Sequence, residues 1–256
     1  MSSMDQSKGV VRKLANQLGI DITRFDSKRS DRARLAHFLE SRNVNLVFDV
    51  GANVGQYGRE LRGLGYRGRI ISFEPVAAAH QRLAKAAGRD PHWTVAPRTA
   101  IGSEDGVISI NISANSVFNS VLQGANLLSR VDSKAVISEE RVPLVTLNSL
   151  APLYMNHGDV AFLKIDVQGF EYEVLHGADN ILSELCGAQM ELSLIPLYQG
   201  EKPFRFMLDF MECKGFQLHS VVSVFGDEAS GGEFHLDAIF VRSGGSDTSA
   251  GSDLDR

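Results

Sequence analysis

The chain has 256 residues, a formal net charge of −5, 43% hydrophobic and 22% charged residues. That is enough for one large domain with a sizeable core and an ordinary soluble composition, and the acidic balance gives no electrostatic case for a nucleic-acid partner. Its two cysteines, Cys186 and Cys213, stand in no CxxC or Cys/His cluster, which argues against a disulfide framework and a zinc site.

The opening "MSSMDQSKGVVRKLANQLGI" lacks the long apolar core of a secretory signal. No apolar run approaches the roughly 18 residues of a membrane span, so a cytoplasmic location is expected. Two helical patterns open the chain, over residues 9–18 and 30–42. In the second, Leu35, Phe38 and Leu39 fall on one face at the 3.6-residue period. Residues 1–42 are read as an N-terminal helical segment and 43–243 as the main domain.

Strands and helices then alternate. "VNLVFDV" is an apolar run bounded by Gly51 and reads as a buried strand; "RIISFEP" is a second, ended by Pro75. "AAAHQRLAKAAG" reads as a helix with Gly88 as its C-cap, and "HWTVAPRTAIG" as a third strand region. "GVISINIS" and "RVPLVTL" alternate at period two and look like shorter strands. "VAFLKIDV", "GAQMELSL", "FQLHSVVSVF" and "FHLDAIFVR" are four more strand candidates, with helices over 171–185 and 204–214. Such alternation implies a mainly parallel sheet covered on both faces. Residues 127–142 mix polar and apolar side chains and read as a mobile cover over an acceptor site, or as a solvated loop. The tail over 244–256 has little to bury and is expected to be disordered.

The turn after the first strand carries the chemistry. "VFDVGANVGQYG" contains Asp49-x-Gly51-x-x-x-Gly55. Glycines between a strand and a helix let backbone approach a ligand closely. The dinucleotide fingerprint would need glycine at Asn53, and no Gly-Lys-Ser/Thr follows, so both phosphate-binding patterns fail. A nucleoside without a pyrophosphate remains. Asp49 suits an ammonium, directly or through water, and Glu74 at the next strand's end suits two ribose hydroxyls. Two carboxylates favour a cationic ligand, and S-adenosylmethionine carries a sulfonium and an ammonium. A purely structural glycine turn is the alternative.

Beyond that turn, "VFDVGANVGQYG", "SFEPV", "AIGSEDG", "FNSVL", "VTLNSL", "FLKIDVQGFEYEVLHGA", "MELSLIPLYQG" and "DAIFVR" occur in this order. The set resembles the FkbM-type S-adenosylmethionine-dependent methyltransferases. The resemblance implies an α/β, Rossmann-like class I methyltransferase fold: seven strands, mainly parallel with one antiparallel, and helices on both faces. It also implies O-methyl transfer to a hydroxyl of a sugar, glycolipid or secondary metabolite. The matching segments put Gly51, Ala52, Asn53, Val54 and Gly55 of the turn, Glu74 and Pro75, and Ala100 and Ile101 around the cofactor, beside Asp49. It leaves the acceptor, the oligomeric state and the first 40 residues unassigned.

Asp166 ends the strand "AFLKID" and is the first candidate base, since ligands of open α/β sheets bind beyond the carboxyl ends of strands; it reads equally as a helix N-cap. Glu191 near the next strand's end is the second catalytic candidate. Glu171 is an acceptor-side carboxylate or a first-turn acid favoured by the helix dipole. Lys164 reads as a partner for an acid. Asn119 and Ser120 offer an amide and a hydroxyl to acceptor hydroxyls, and Tyr198 of "PLYQG" offers a ring to a sugar face or belongs to the core. Of seven histidines, His219 and His235 are the alternative bases. Nothing in the spacing requires a metal. Two other classes compete: an NAD-dependent oxidoreductase, opposed by Asn53, and a nucleoside-binding module without catalysis.

Overall fold

The computed structural model describes residues 31–113, 119–122, 136–227 and 232–243. The helix expected over 9–18, residues 127–135 of the expected cover and the tail after 243 lie outside them. Five consecutive buried residues form β1 (Leu46–Val50), the centre of the main sheet. Parallel β2 (Arg69–Phe73) and β3 (Trp93–Val95) follow on one side, and β7 (Ala161–Ile165) and β8 (Leu185–Ser193) on the other. β10 (Gly232–Arg242) is antiparallel to β8 and to the edge strand β9 (Phe216–Asp227). The order is β3-β2-β1-β7-β8-β10-β9, seven strands with β10 alone reversed.

The expected third strand region is divided. Trp93–Val95 joins the main sheet, but β4 (Ala100–Ile101) pairs in parallel with β6 (Val136–Val145). β5 (Gly106–Ser113) pairs antiparallel with β6, so these three strands form a separate small sheet. The segment over 127–142 is therefore not a cover throughout: from Val136 on it is strand. The helix expected over 171–185 is also shorter than its pattern. It ends at His176, and a 3₁₀ turn covers Ile181–Glu184.

Helices lie on both sheet faces because β1 alternates. Leu46, Phe48 and Val50 enter one core with Val174, Leu175, Met207 and Met211. Those four come from α5 (Glu171–His176) and α6 (Phe204–Cys213). Val47 enters a second core with Leu35, Phe38 and Leu39 of α1 (Asp31–Ser41), Leu61 of α2 (Gln56–Gly63), and Leu83 and Ala87 of α3 (Ala77–Ala87). The spacing of Ala79, Leu83 and Ala87 keeps one face of α3 buried. α1 thus packs into the same core as the main domain. A single turn, α4 (Leu147–Leu150), follows β6 and is capped by the Thr146 hydroxyl, which accepts from Ser149 N.

Residues directly opposite across paired strands share a face. On the second core's face, Val47, Ile70 and Phe162 lie towards the starts of their strands, and all three are buried apolar residues. Two residues on, the aligned row is polar: Ser72, Asp49, Lys164 and Gln189. The carboxyl ends of the strands therefore present chemistry where their beginnings present packing.

Candidate active site

A cavity of about 350 Å³ opens over that polar row. Its first wall is the turn after β1. Gly51 has φ +77°, Asn53 +49° and Gly55 +85°, the left-handed region that glycine enters without a Cβ penalty. Gly51 N and Ala52 N both donate to Phe73 O, at 3.1 and 3.0 Å. A Cβ on Gly51 would lie 1.9 Å from the Asp166 carbonyl oxygen, so glycine is required where the turn meets the end of β7.

Glu74 fastens this turn to the next one. One carboxylate oxygen accepts from Asn53 N and the other from Val76 N, each at 2.8 Å. Burial pushes its carboxyl up to about 7, against the lowering pull of those two backbone donors. Pro75, Ala100 and Ile101 continue the wall.

The opposite wall begins at Lys164, which is buried. Its ammonium lies 3.2 Å from Asp166 Oδ2, 3.8 Å from Asp49 Oδ1 and 5.3 Å from the centre of the Tyr57 ring. Burial opposes the charge, yet Asp166 and Asp49 outweigh it and hold Lys164 above its ordinary value. Asp166 lines the cavity and keeps a side chain 45% exposed. Burial acts to raise its carboxyl, but Lys164 and a hydrogen bond from Gln168 prevail and hold it below the ordinary value.

Gln168 is a hub that sequence inspection passed over. It takes φ +55° in "VQG". Its amide donates to Asp166 Oδ1 at 3.0 Å and to Glu191 Oε2 at 2.9 Å. Its Oε1 accepts from the Tyr198 hydroxyl at 2.9 Å, and its backbone carbonyl from Ser120 Oγ at 2.6 Å. Tyr57, Gln189 and Asp237 also line the cavity unannounced. A lone aspartate in the apolar run "HLDAIFV" is the one signal that could have found Asp237; Tyr57 and Gln189 carry none.

The expected site residues divide into two groups. Gly51, Ala52, Asn53, Glu74, Pro75, Ala100, Ile101, Asn119, Ser120 and Asp166 line the cavity together. Asp49, Val54, Gly55, Glu171, Glu191 and Tyr198 are not among its lining residues. Asp49 is fully buried and bonds Ser72 Oγ, with Oδ1 left without a hydrogen-bond partner. Val54 packs against the cluster that contains Val76 and Ala100, and Gly55 sits against Leu83 and Trp93. Glu171 is buried beneath the turn before α5, where its Oε1 accepts from Val167 N at 3.2 Å and Gly169 N at 3.3 Å. Burial pushes it up to about 8. Glu191 Oε1 lies 2.6 Å from His235 Nδ1, and His235 Nε2 lies 2.9 Å from Ser193 Oγ. His219 is off the cavity too, its ring 5.4 Å from that of Phe38.

No group of three or more His, Cys, Asp or Glu placed to hold a metal occurs among the described residues. Among them, too, no helix is long and apolar enough to cross a membrane.

A family model described as the methyltransferase FkbM domain matches residues 49–218. Hexuronic acid methyltransferase AglP of Haloferax volcanii is 24% identical over 149 residues, 57% of this chain and 55% of that one. Methyltransferase 1 of Beauveria bassiana is 24% identical over 169 residues, 57% of this chain and 66% of that one. The chain therefore spans between half and two thirds of these curated relatives. Magnesium protoporphyrin IX methyltransferase of Synechocystis PCC 6803, solved with bound S-adenosylmethionine, is 12% identical and covers 92% of this chain and 97% of its own, with a TM-score of 0.44. The fibrillarin pre-rRNA processing protein of Methanococcus jannaschii is 10% identical, covers 79% and 68%, and has a TM-score of 0.43.

Proposed function

The chain belongs to the FkbM methyltransferase family, and from that premise we propose that it is an S-adenosylmethionine-dependent O-methyltransferase acting on a hydroxyl of a sugar, glycolipid or secondary metabolite. The observation that carries the cofactor is Glu74 in the wall of the cavity, beside the Gly51–Gly55 turn. Each of its oxygens accepts one backbone N–H and keeps a lone pair for a ribose hydroxyl. Asn53 Oδ1, buried and without a partner, offers a further acceptor. Glu60, Glu74, Asp166 and Asp237 outnumber Arg34 and Lys164 around the same space, which suits a ligand bearing a sulfonium and an ammonium.

When bound, the sulfonium supplies an activated methyl group with a neutral leaving group. The chain's own part is then to align the acceptor, which is worth up to ~7–11 kcal/mol in favourable cases, and to accept a proton. Asp166, fixed by Lys164 and Gln168 at the end of β7, would hold the acceptor hydroxyl, with Asn119 and Ser120 in the lining of the same cavity. Asp49 acts from behind, through Lys164, and Glu191 and Tyr198 act through Gln168. The acceptor class draws its support from the sugar acid in the name of the Haloferax relative. Incubation with methyl-labelled S-adenosylmethionine and a panel of free, lipid-linked and polymeric sugars should place label on an ether oxygen of one of them. Label on nitrogen, sulfur or carbon would overturn the hydroxyl reading, and calorimetry showing no S-adenosylmethionine binding would overturn the cofactor.

A further inference from the structure

We propose that Asp237 is the residue that takes the acceptor hydroxyl's proton, while Asp166 only holds that hydroxyl in place. The assignment rests on the proposed O-methyl transfer. Asp237 lies on β10, opposite Glu191 of β8 and Val222 of β9, hence on the same sheet face as the polar row. It lines the cavity together with Lys164, Asp166 and Gln189.

Aspartate is depleted in strands, and this one occupies an internal strand of the sheet, half-buried between apolar neighbours. Its polar contact is with the Gln189 side chain, and among the described residues no cation is paired with it. The lysine of the cavity is committed elsewhere, to Asp166 at 3.2 Å and Asp49 at 3.8 Å. An unpaired carboxylate at a half-buried strand position contributes little to folding that an apolar residue would not exceed. Facing an open cavity, it has a substrate-directed use.

The surroundings of the two aspartates set them apart. Lys164 of β7, Asp166 at its end and Glu191 of β8 act on Asp237, Tyr57 of α2 feels its charge, and Glu60 of α2 and Arg34 of α1 line the same cavity. β9 contributes Ser220 and Val222, neither of them charged. Burial, reinforced by the charges of Glu191 and Asp166, pushes Asp237 up to about 6, with Lys164 and Gln189 pulling the other way. Asp166 is held low by contact with Lys164. Of two carboxylates in one cavity pushed in opposite directions, the raised one is the better proton acceptor near neutrality, and the lowered one is a fixed hydrogen-bond acceptor. In the step itself the acceptor O–H bond breaks and its proton passes to a carboxylate oxygen of Asp237. The oxygen's electron pair bonds the methyl carbon, the methyl–sulfur pair stays on the departing thioether, and Asp237 later releases the proton to solvent.

The test is Asp237→Asn, which keeps size and a hydrogen-bond acceptor but removes the ionisation. Turnover should fall by about 100-fold or more, and the acid limb of the profile of kcat/KM for the acceptor, which reports the acceptor-free protein and has its midpoint near 6, should vanish. Independently of turnover, infrared spectra of the ligand-free protein should show a carboxyl band titrating near that pH in wild type and missing in the variant. Asp166→Asn should keep the acid limb and raise the acceptor KM more than it lowers kcat. Asp237→Glu, which shifts the carboxylate by one methylene, should be slowed with its acid limb retained. A folded Asp237→Asn variant with turnover within fivefold of wild type, an acid limb that survives it, or an absent infrared band would each overturn the assignment alone. Wild-type protein that binds no S-adenosylmethionine would instead overturn the reading on which it rests.

Discussion

Glu74 has both of its carboxylate oxygens occupied by backbone donors of two different turns, yet it sits in the cavity wall. Hydrogen bonds to a charged group contribute about 1.5–3 kcal/mol, so Glu74→Ala should weaken S-adenosylmethionine binding by roughly tenfold to a hundredfold. The titration carries a sign. Glu74 is raised to about 7, and its ionised form is the stronger acceptor for ribose hydroxyls. Affinity should therefore fall as pH drops from 8 to 6, approaching about tenfold per unit on the acid side, while Glu74→Gln should bind weakly at every pH. Calorimetry across that range measures both. A wild-type affinity that is flat with pH would mean that the carboxylate is not the ribose ligand.

The turn that joins β7 to α5 is held by its own buried acid. Glu171 accepts from Val167 N and Gly169 N, and among the described residues no cation is paired with it; Glu191 and Glu201 raise it further after burial has raised it most. Between about 4.5, its ordinary value, and about 8 the folded chain keeps a proton that the unfolded chain has lost. Stability from this group is therefore complete at acid pH and is lost as pH rises through that window. Glu171→Gln keeps the acceptor oxygen without the ionisation. Its melting temperature should gain on wild type steadily from pH 5 to 8, by several degrees on the order of a few kcal/mol. A constant gap across that range would show that Glu171 has the same proton affinity folded and unfolded. The turn's geometry also fixes Gln168 in the left-handed region, which aims one amide at Asp166 and Glu191 together.

At the scale of the molecule, α1 closes the face of the sheet on which the cavity opens. Phe38 is 3% exposed, and its ring centre lies 5.5 Å from that of Phe162 on β7. Arg34 and Leu35 of the same helix line the cavity. The helix before the first strand is thus part of the body that holds the cavity. Phe38→Ala should destabilise the fold by about 3–5 kcal/mol, read as a lower urea midpoint. Loss within about 1 kcal/mol, the range of volume-conserving swaps, would show that α1 is a detachable arm.

Much of this was legible in the residues. Periodicity located the strands of the main sheet, because a parallel strand buried on both faces must be an apolar run. The glycines after β1 announced a turn with left-handed backbone, and Gly51 and Gly55 adopt it. The acids at the ends of β2 and β7 announced the cavity walls, because strand ends converge on one edge. Tertiary structure alone decided the rest. Ala100–Ile101 left the main sheet for the small one because β6 offered its edge in parallel, a pairing that local pattern does not encode. Asp49 was turned into the protein beneath Lys164 while Asp166 was left 45% exposed, because register, not residue type, sets which strand-end acid reaches the cavity. Asp237, far along the chain from Asp166, reached the same cavity only because the reversed strand β10 laid it across from Glu191. Local sequence dictates what a segment becomes, because sterics and burial act within a few residues. Which side chains share a cavity is dictated by strand order, and that is settled only when the whole sheet packs.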